Sequence, residues 1–169
     1  MAVGDEGLNA AIRYFTDWVN GLILSGTILP PDEWNAPLFT YVMTNKQFNR
    51  LNFICQRNRW PLQTCRGITF YPRNIKHILT ARKGKDSVHS SEVAEILIAA
   101  LSPQSRVELK RDQNQQVVVL NSVSALRVGA KREKYFGMMI VQVSENDLAP
   151  VTAYHAAEAK IRAIMKDGQ

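Results

Sequence analysis

The chain has 169 residues, about the length of one ordinary domain, and its 46% apolar and 21% charged content is a globular balance that excludes disorder, collagen-like repeats and coiled coil. Twenty-one Lys and Arg against fifteen Asp and Glu leave a net charge of +6, a surplus that points to polyanions such as nucleic acid or an anionic membrane surface. No basic-then-apolar signal segment opens the chain and no apolar run approaches the ~18 residues of a membrane span, so a cytoplasmic protein without membrane association is expected.

In chain order, Leu8, Ala11, Ile12, Phe15, Trp18, Val19 and Leu22 recur at helical spacing behind a capping Asp5. The segment Ser25 to Pro37, with three prolines and a glycine, ends that helix in an irregular connection. Thr44 and Gln47 have capping-box spacing ahead of an apolar stripe of Phe48, Leu51, Ile54 and Cys55. Cys65 to Tyr71 reads as a short strand, and Pro72 stands at the first turn of a helix running to about Arg82. Ser90 or Ser91 caps another helix, with Val93, Ile96, Leu97, Ala100 and Leu101 inward and Pro103 ending it. The apolar period then drops to two: a hairpin of Arg106–Lys110 and Gln116–Leu120, a strand from Tyr135 to Val143 and a short one from Pro150 to Tyr154. A terminal helix with Ala157, Ile161 and Ile164 inward follows. Helices first and an antiparallel sheet after is an α+β arrangement.

Charge is concentrated rather than spread. From Arg57 through Lys85 there are eight basic residues and no acidic one, and Arg127, Lys131, Arg132 and Lys134 form a second cluster. A solvated face and an anion-binding surface both account for such runs. On the Pro72 helix, steps of 100° per residue place Ile78, Leu79 and Arg82 within about 60° of Ile75 and His77 at about 200°, away from the apolar stripe. Arg73, Lys76 and Thr80 share the general side of His77. His89 stands before a helix start and His155 after a strand; with His77 they lack ligand spacing, and there is no HExxH or CxxC, so neither metal nor cofactor is expected. Cys55 and Cys65 read as two reduced, partly buried thiols. GxxxxGK[ST], GxGxxG and GxSxG are absent, and Asp86, Asp112 and Asp147 are isolated, which leaves nothing for a nucleotide-fold enzyme, a serine hydrolase or a two-metal nuclease. A cationic, metal-free site suits RNA cleavage, where the 2′-hydroxyl is the nucleophile, a histidine moves its proton and Arg or Lys stabilises the phosphorane.

The run ITFYPRNIKHILTARKGKDSV, the following HSSEVAEILIAALSP and the β-rich stretch ending in VQV and VTAY, about Ile68 to Ile161, resemble phage-associated members of the barnase, EndoU, colicin and RelE-like (BECR) nuclease superfamily. The resemblance implies helices followed by a four- or five-stranded antiparallel sheet and a metal-independent RNase, some relatives being toxins. It puts the motif histidine on His77 and the basic position on Arg82, and it puts a last-strand hydroxyl and aromatic on Thr152 and Tyr154, which share a strand face. Where phage-type members often carry a second histidine, this chain has Lys83. Residues 1–60 lie outside the resemblance and are expected to form a helical extension packed on a 61–169 core.

The leading expectation is an RNase with His77 as acid/base, Arg82 with Arg73 or Lys76 on the phosphate, and Thr152 and Tyr154 orienting it. The charge clusters add Lys83, Lys85, Lys131 and Arg132 as RNA contacts, and an inhibitor or immunity protein or a phage structural protein is a further expected partner. The second expectation is a non-catalytic nucleic-acid-binding or phage structural module that keeps the fold. The third is a protein-interaction module using Trp18, Trp34 and Trp60, although an ordinary core accounts for tryptophans about twice as often.

Overall fold

A computed structural model describes residues 3–86, 89–110, 115–128, 133–145 and 147–167. Helix α1 (Val3–Ser25) is followed by a single turn α2 (Pro31–Trp34), strand β1 (Phe39–Val42), helix α3 (Asn45–Arg57), strand β2 (Gly67–Phe70), and helices α4 (Pro72–Asp86) and α5 (Ser90–Ala100). Strands β3 (Arg106–Lys110), β4 (Val117–Val128), β5 (Glu133–Ser144) and β6 (Asp147–Ala156) come next, and helix α6 (Glu158–Asp167) closes the chain. The α+β expectation holds. The four last strands form an antiparallel meander in the order β3-β4-β5-β6, and β1 and β2 form a separate two-stranded ribbon.

Burial divides the molecule into layers. One face of the meander, through Val118, Leu120, Met139, Val141 and Ala153, packs in a single cluster with the apolar sides of α1, α3, α4 and α5 and with the inner side of the ribbon. The opposite face, through Val117, Val119, Met138 and Ile140, is covered by Ile161 and Ile164 of α6. Residues on both sides of position 60 therefore share one core, and β1, from the first segment, pairs along its whole length with β2, from the second.

Several local expectations are corrected. Helix α1 begins at Val3, so Asp5 lies within it rather than at its cap. Trp18 is 36% exposed because its position, about 120° from Ile12 on the helical wheel, falls beyond the buried stripe. The Ser25–Pro37 connection contains α2, and one residue beyond it Phe39–Val42 pair as β1, a strand too short to show an alternation of its own. Helix α5 starts one residue after His89, its N-cap, which makes no side-chain capping bond; neither Ser90 nor Ser91 caps it. Cys55 is buried and Cys65 exposed. Ala157 is exposed and precedes α6.

Two features place the sheet's side chains. Gly137 on β5 lets α5 approach: a Cβ there would lie 2.6 Å from the carbonyl oxygen of Ile96. On β6, Pro150 pairs with Val141 while Thr152 pairs with Ile140, leaving Val151 as an extra residue. This bulge reverses the alternation, so Leu148 faces the helical layer while Thr152, Tyr154 and Ala156 face α6. Pro150 has no N–H to give a neighbour, which is compatible with β6 being an edge strand.

Candidate functional site

Helix α4 begins as the sequence suggests, with Pro72 in its first turn and Asn74 accepting from the Tyr71 backbone N–H at 2.8 Å. Ile75 and Ile78 are fully buried and Leu79 nearly so, which turns Arg73, Lys76, His77 and Thr80 outward and exposed. Arg82 lies on the buried side with 9% of its surface exposed. His77 and Arg82 are thus about 140° apart around the helix.

Of the four residues assigned to catalysis, two meet. The Arg82 guanidinium carbon lies 5.6 Å from the centre of the Tyr154 ring, and Lys160 of α6 places its Nζ 4.6 Å from the same centre. Arg82 comes from the helical layer and Tyr154 faces α6, so the contact forms around the edge of β6. Thr152 is on the same face as Tyr154, and its Oγ1 is buried without a hydrogen-bond partner. His77 is not brought to this cluster; it stands exposed on the far side of α4. His155 faces the helical layer opposite Gly137, its ring edge-on to Tyr135 at 4.6 Å. No group of three or more His, Cys, Asp or Glu side chains that could hold a metal occurs among the described residues.

The expected phosphate contacts divide similarly. Arg73 donates to Asn35 Oδ1 at 2.7 Å and lies over the Tyr71 ring at 4.4 Å. Lys76 lies over Trp34 at 5.3 Å, at the rim of a shallow groove between α1 and α2 lined by Leu22, Ile23 and Ile28. Lys83 is exposed. The side chain of Lys85, and Lys131 and Arg132 altogether, fall outside the described residues.

A second group was not singled out by sequence. Arg66 donates to Asn45 Oδ1 and covers the Phe48 ring at 4.9 Å. On α3, Phe53 is 46% exposed with Arg50 and Arg57 at 5.4 and 5.7 Å from its ring centre. The first group and the Arg66–Phe48 pair sit at opposite ends of the β1–β2 ribbon: the Met43 N–H donates to the Arg66 carbonyl at one end, and the Leu38 N–H donates to the Phe70 carbonyl at the other. Between them the outer side of the ribbon carries Thr40 and Thr69, whose hydroxyls are 2.9 Å apart.

The signal that would have found the second group is in the sequence. The acid-free run begins not at Arg57 but at Trp34, directly after Glu33, and continues to Lys85; it therefore contains β1, all of α3, β2 and α4 up to its last residue. Arg66, Arg73 and Lys76 have ring and amide neighbours but no carboxylate partner among the described residues. The fold and site together define a basic α+β protein with an open four-stranded meander and a surface on which cations rest against aromatic rings. No helix among the described residues is long and apolar enough to cross a membrane. No protein-family model, curated protein or solved structure matches the chain.

Proposed function

We propose that this protein binds nucleic acid, RNA foremost, through the basic surface at the start of α4 and the ends of the β1–β2 ribbon, without cleaving it. The observation that carries the reading is that Arg66, Arg73 and Lys76 are exposed and lie over Phe48, Tyr71 and Trp34 rather than against carboxylates. A guanidinium or ammonium over a ring keeps its charge and its outward donors for phosphate, whereas an ion pair would have neutralised it. Cleavage is the weaker reading. A histidine that moves the 2′-hydroxyl proton has to face the same phosphate as the stabilising cation, and the exposed His77 and the buried Arg82 look away from each other around α4.

The test is equilibrium binding of labelled RNA at stepped salt in EDTA, with product analysis on the same samples. Binding should weaken steeply with salt, and the double variant R73A/K76A should lower the slope of log K against log salt by about 1.4 on a single strand. Binding that ignores both salt and the double variant refutes the proposal. Products that vanish in H77A would replace it with the nuclease reading.

A further inference from the structure

Exposed apolar side chains gather along α1 and the turn after it. Tyr14, Trp18 and Leu22 follow one another at i, i+4 and i+8, a stripe that drifts by about 40° per step around the helix and runs into the groove lined by Ile23, Ile28 and Trp34. Tyr14 is 65% exposed and Ile28 92%. The Tyr14 and Trp18 rings both stand edge-on to Phe15, at 5.1 and 6.3 Å, which fixes their orientation. Single exposed apolar residues are ordinary, whereas a continuous stripe that ends in a groove marks an interaction surface.

The stripe carries opposite charges on its two sides. Asp17 lies about 60° from Tyr14 around α1, on the side away from Trp18 and the groove, and Lys76 stands at the groove's far rim over Trp34. Both are exposed, and neither has an ion-pair partner among the described residues; Arg13, one turn before Asp17, is committed to Glu95 at 2.9 Å. We infer that this face is a two-fold interface between copies of the chain, in which each Lys76 meets the partner's Asp17 across a shared apolar centre. A two-fold contact requires a surface that matches itself, and a face that is apolar in the middle, negative on one side and positive on the other does so when turned through a half rotation. Nucleic acid or an anionic membrane would bring like charge to Asp17. Covering Tyr14, Trp18 and Ile28 hides roughly 400 Å² per copy, against ~800 Å² per partner in a standard interface. With the groove walls and the charged rim the contact is a small one, and the dimer is reversible. The inference goes beyond the nucleic-acid reading and shares Lys76 with it, so RNA and a second copy draw on the same ammonium.

The experiment is sedimentation velocity of the full chain without nucleic acid, from about 1 to 300 μM. The wild type should pass from monomer to dimer over that range. I28D should weaken association about tenfold or more, and because Ile28 is almost wholly exposed it should keep the wild-type urea midpoint. K76E and D17K should each weaken association by setting like charges opposite one another, and their equimolar mixture should recover the dimer, since both contacts then join opposite signs. Wild-type protein that stays monomeric throughout, or I28D that associates like the wild type, overturns the interface. A mixture no more associated than its two components overturns the two-fold pairing of Lys76 with Asp17. RNA binding is read in a separate assay, so the basic-surface reading stands or falls independently of these results.

Discussion

Replacing Gly137 by alanine tests how closely α5 is held to the sheet. Gly137 sits in the middle of β5, its N–H donating to Ser122 Oγ at 2.9 Å across the β4 irregularity. An added Cβ would lie 2.6 Å from the Ile96 carbonyl oxygen, 3.2 Å from the Ala99 Cβ and 3.5 Å from the Ala100 nitrogen. The nearest of these is helix backbone, so relief requires α5 to retreat by roughly 0.8 Å toward ordinary contact distance. Ile96, Leu97 and Ala100 are completely buried beneath that helix, and a gap of about 0.5–1 Å forfeits a quarter to a half of each contact's attraction. A clash this close with backbone puts overpacking at about 2–3 kcal/mol, and alanine recovers about 0.5–1 kcal/mol over glycine in the strand, for a net loss of about 1–2.5 kcal/mol. Urea unfolding should show a midpoint lower by roughly 0.5–1.5 M at an unchanged slope, and the melting temperature should fall by about 3–10 °C. Gly21 in α1, with nothing within 4 Å of its added Cβ, is the control: G21A should raise stability by about 0.5–1 kcal/mol. A G137A protein as stable as the wild type would refute the close-approach argument.

Gln47 is 3% exposed and fully engaged. Its Oε1 accepts from the Tyr41 hydroxyl at 2.6 Å and the Thr44 N–H at 3.1 Å, and its Nε2 donates to the carbonyls of Ser102 and Ser105 at 2.8 and 2.9 Å. Q47L removes all four hydrogen bonds and should cost about 2–4 kcal/mol by urea titration; a loss below 1 kcal/mol would show that the hub is dispensable. Burial pushes the Cys55 thiol up to about 11 from 9.0, so native protein at pH 8 should label at once only on the exposed Cys65, with Cys55 reacting at the unfolding rate. In the unfolded chain Cys55 gives up its proton first, so stability should decline as pH rises from about 9 toward 11, and C55A should remove that part of the decline.

Much of the helical framework was legible locally. The Thr44–Gln47 spacing marked a capping box, which the structure forms with both reciprocal bonds, and the stripes of α4 and α5 placed Ile75, Ile78, Ile96 and Leu97 inward, where all are buried. Nearest-neighbour geometry on a helix is set within one turn, so period and caps suffice. The hairpin of β3 and β4 was equally readable, since Val107 and Leu120 do pair. The ribbon was not: four-residue strands separated by a helix are decided by pairing partners, and β1 exists because Phe39 and Tyr41 find Phe70 and Ile68 across it.

The basic surplus and its concentration followed from sequence alone, because charge counts do not depend on folding. So did the outward direction of His77, Arg73 and Lys76, which follows from 100° steps along one helix. What stands next to them depended on the tertiary structure. Trp34 comes from α2, Asn35 from its C-cap and Lys160 from the last helix, yet they neighbour Lys76, Arg73 and Tyr154 respectively. The bulge at Val151 determines that Thr152 and Tyr154 face α6, and a one-residue slip in a strand sends every later side chain to the other face. Local periodicity names the side a residue takes on its own element; only packing determines which element lies on that side.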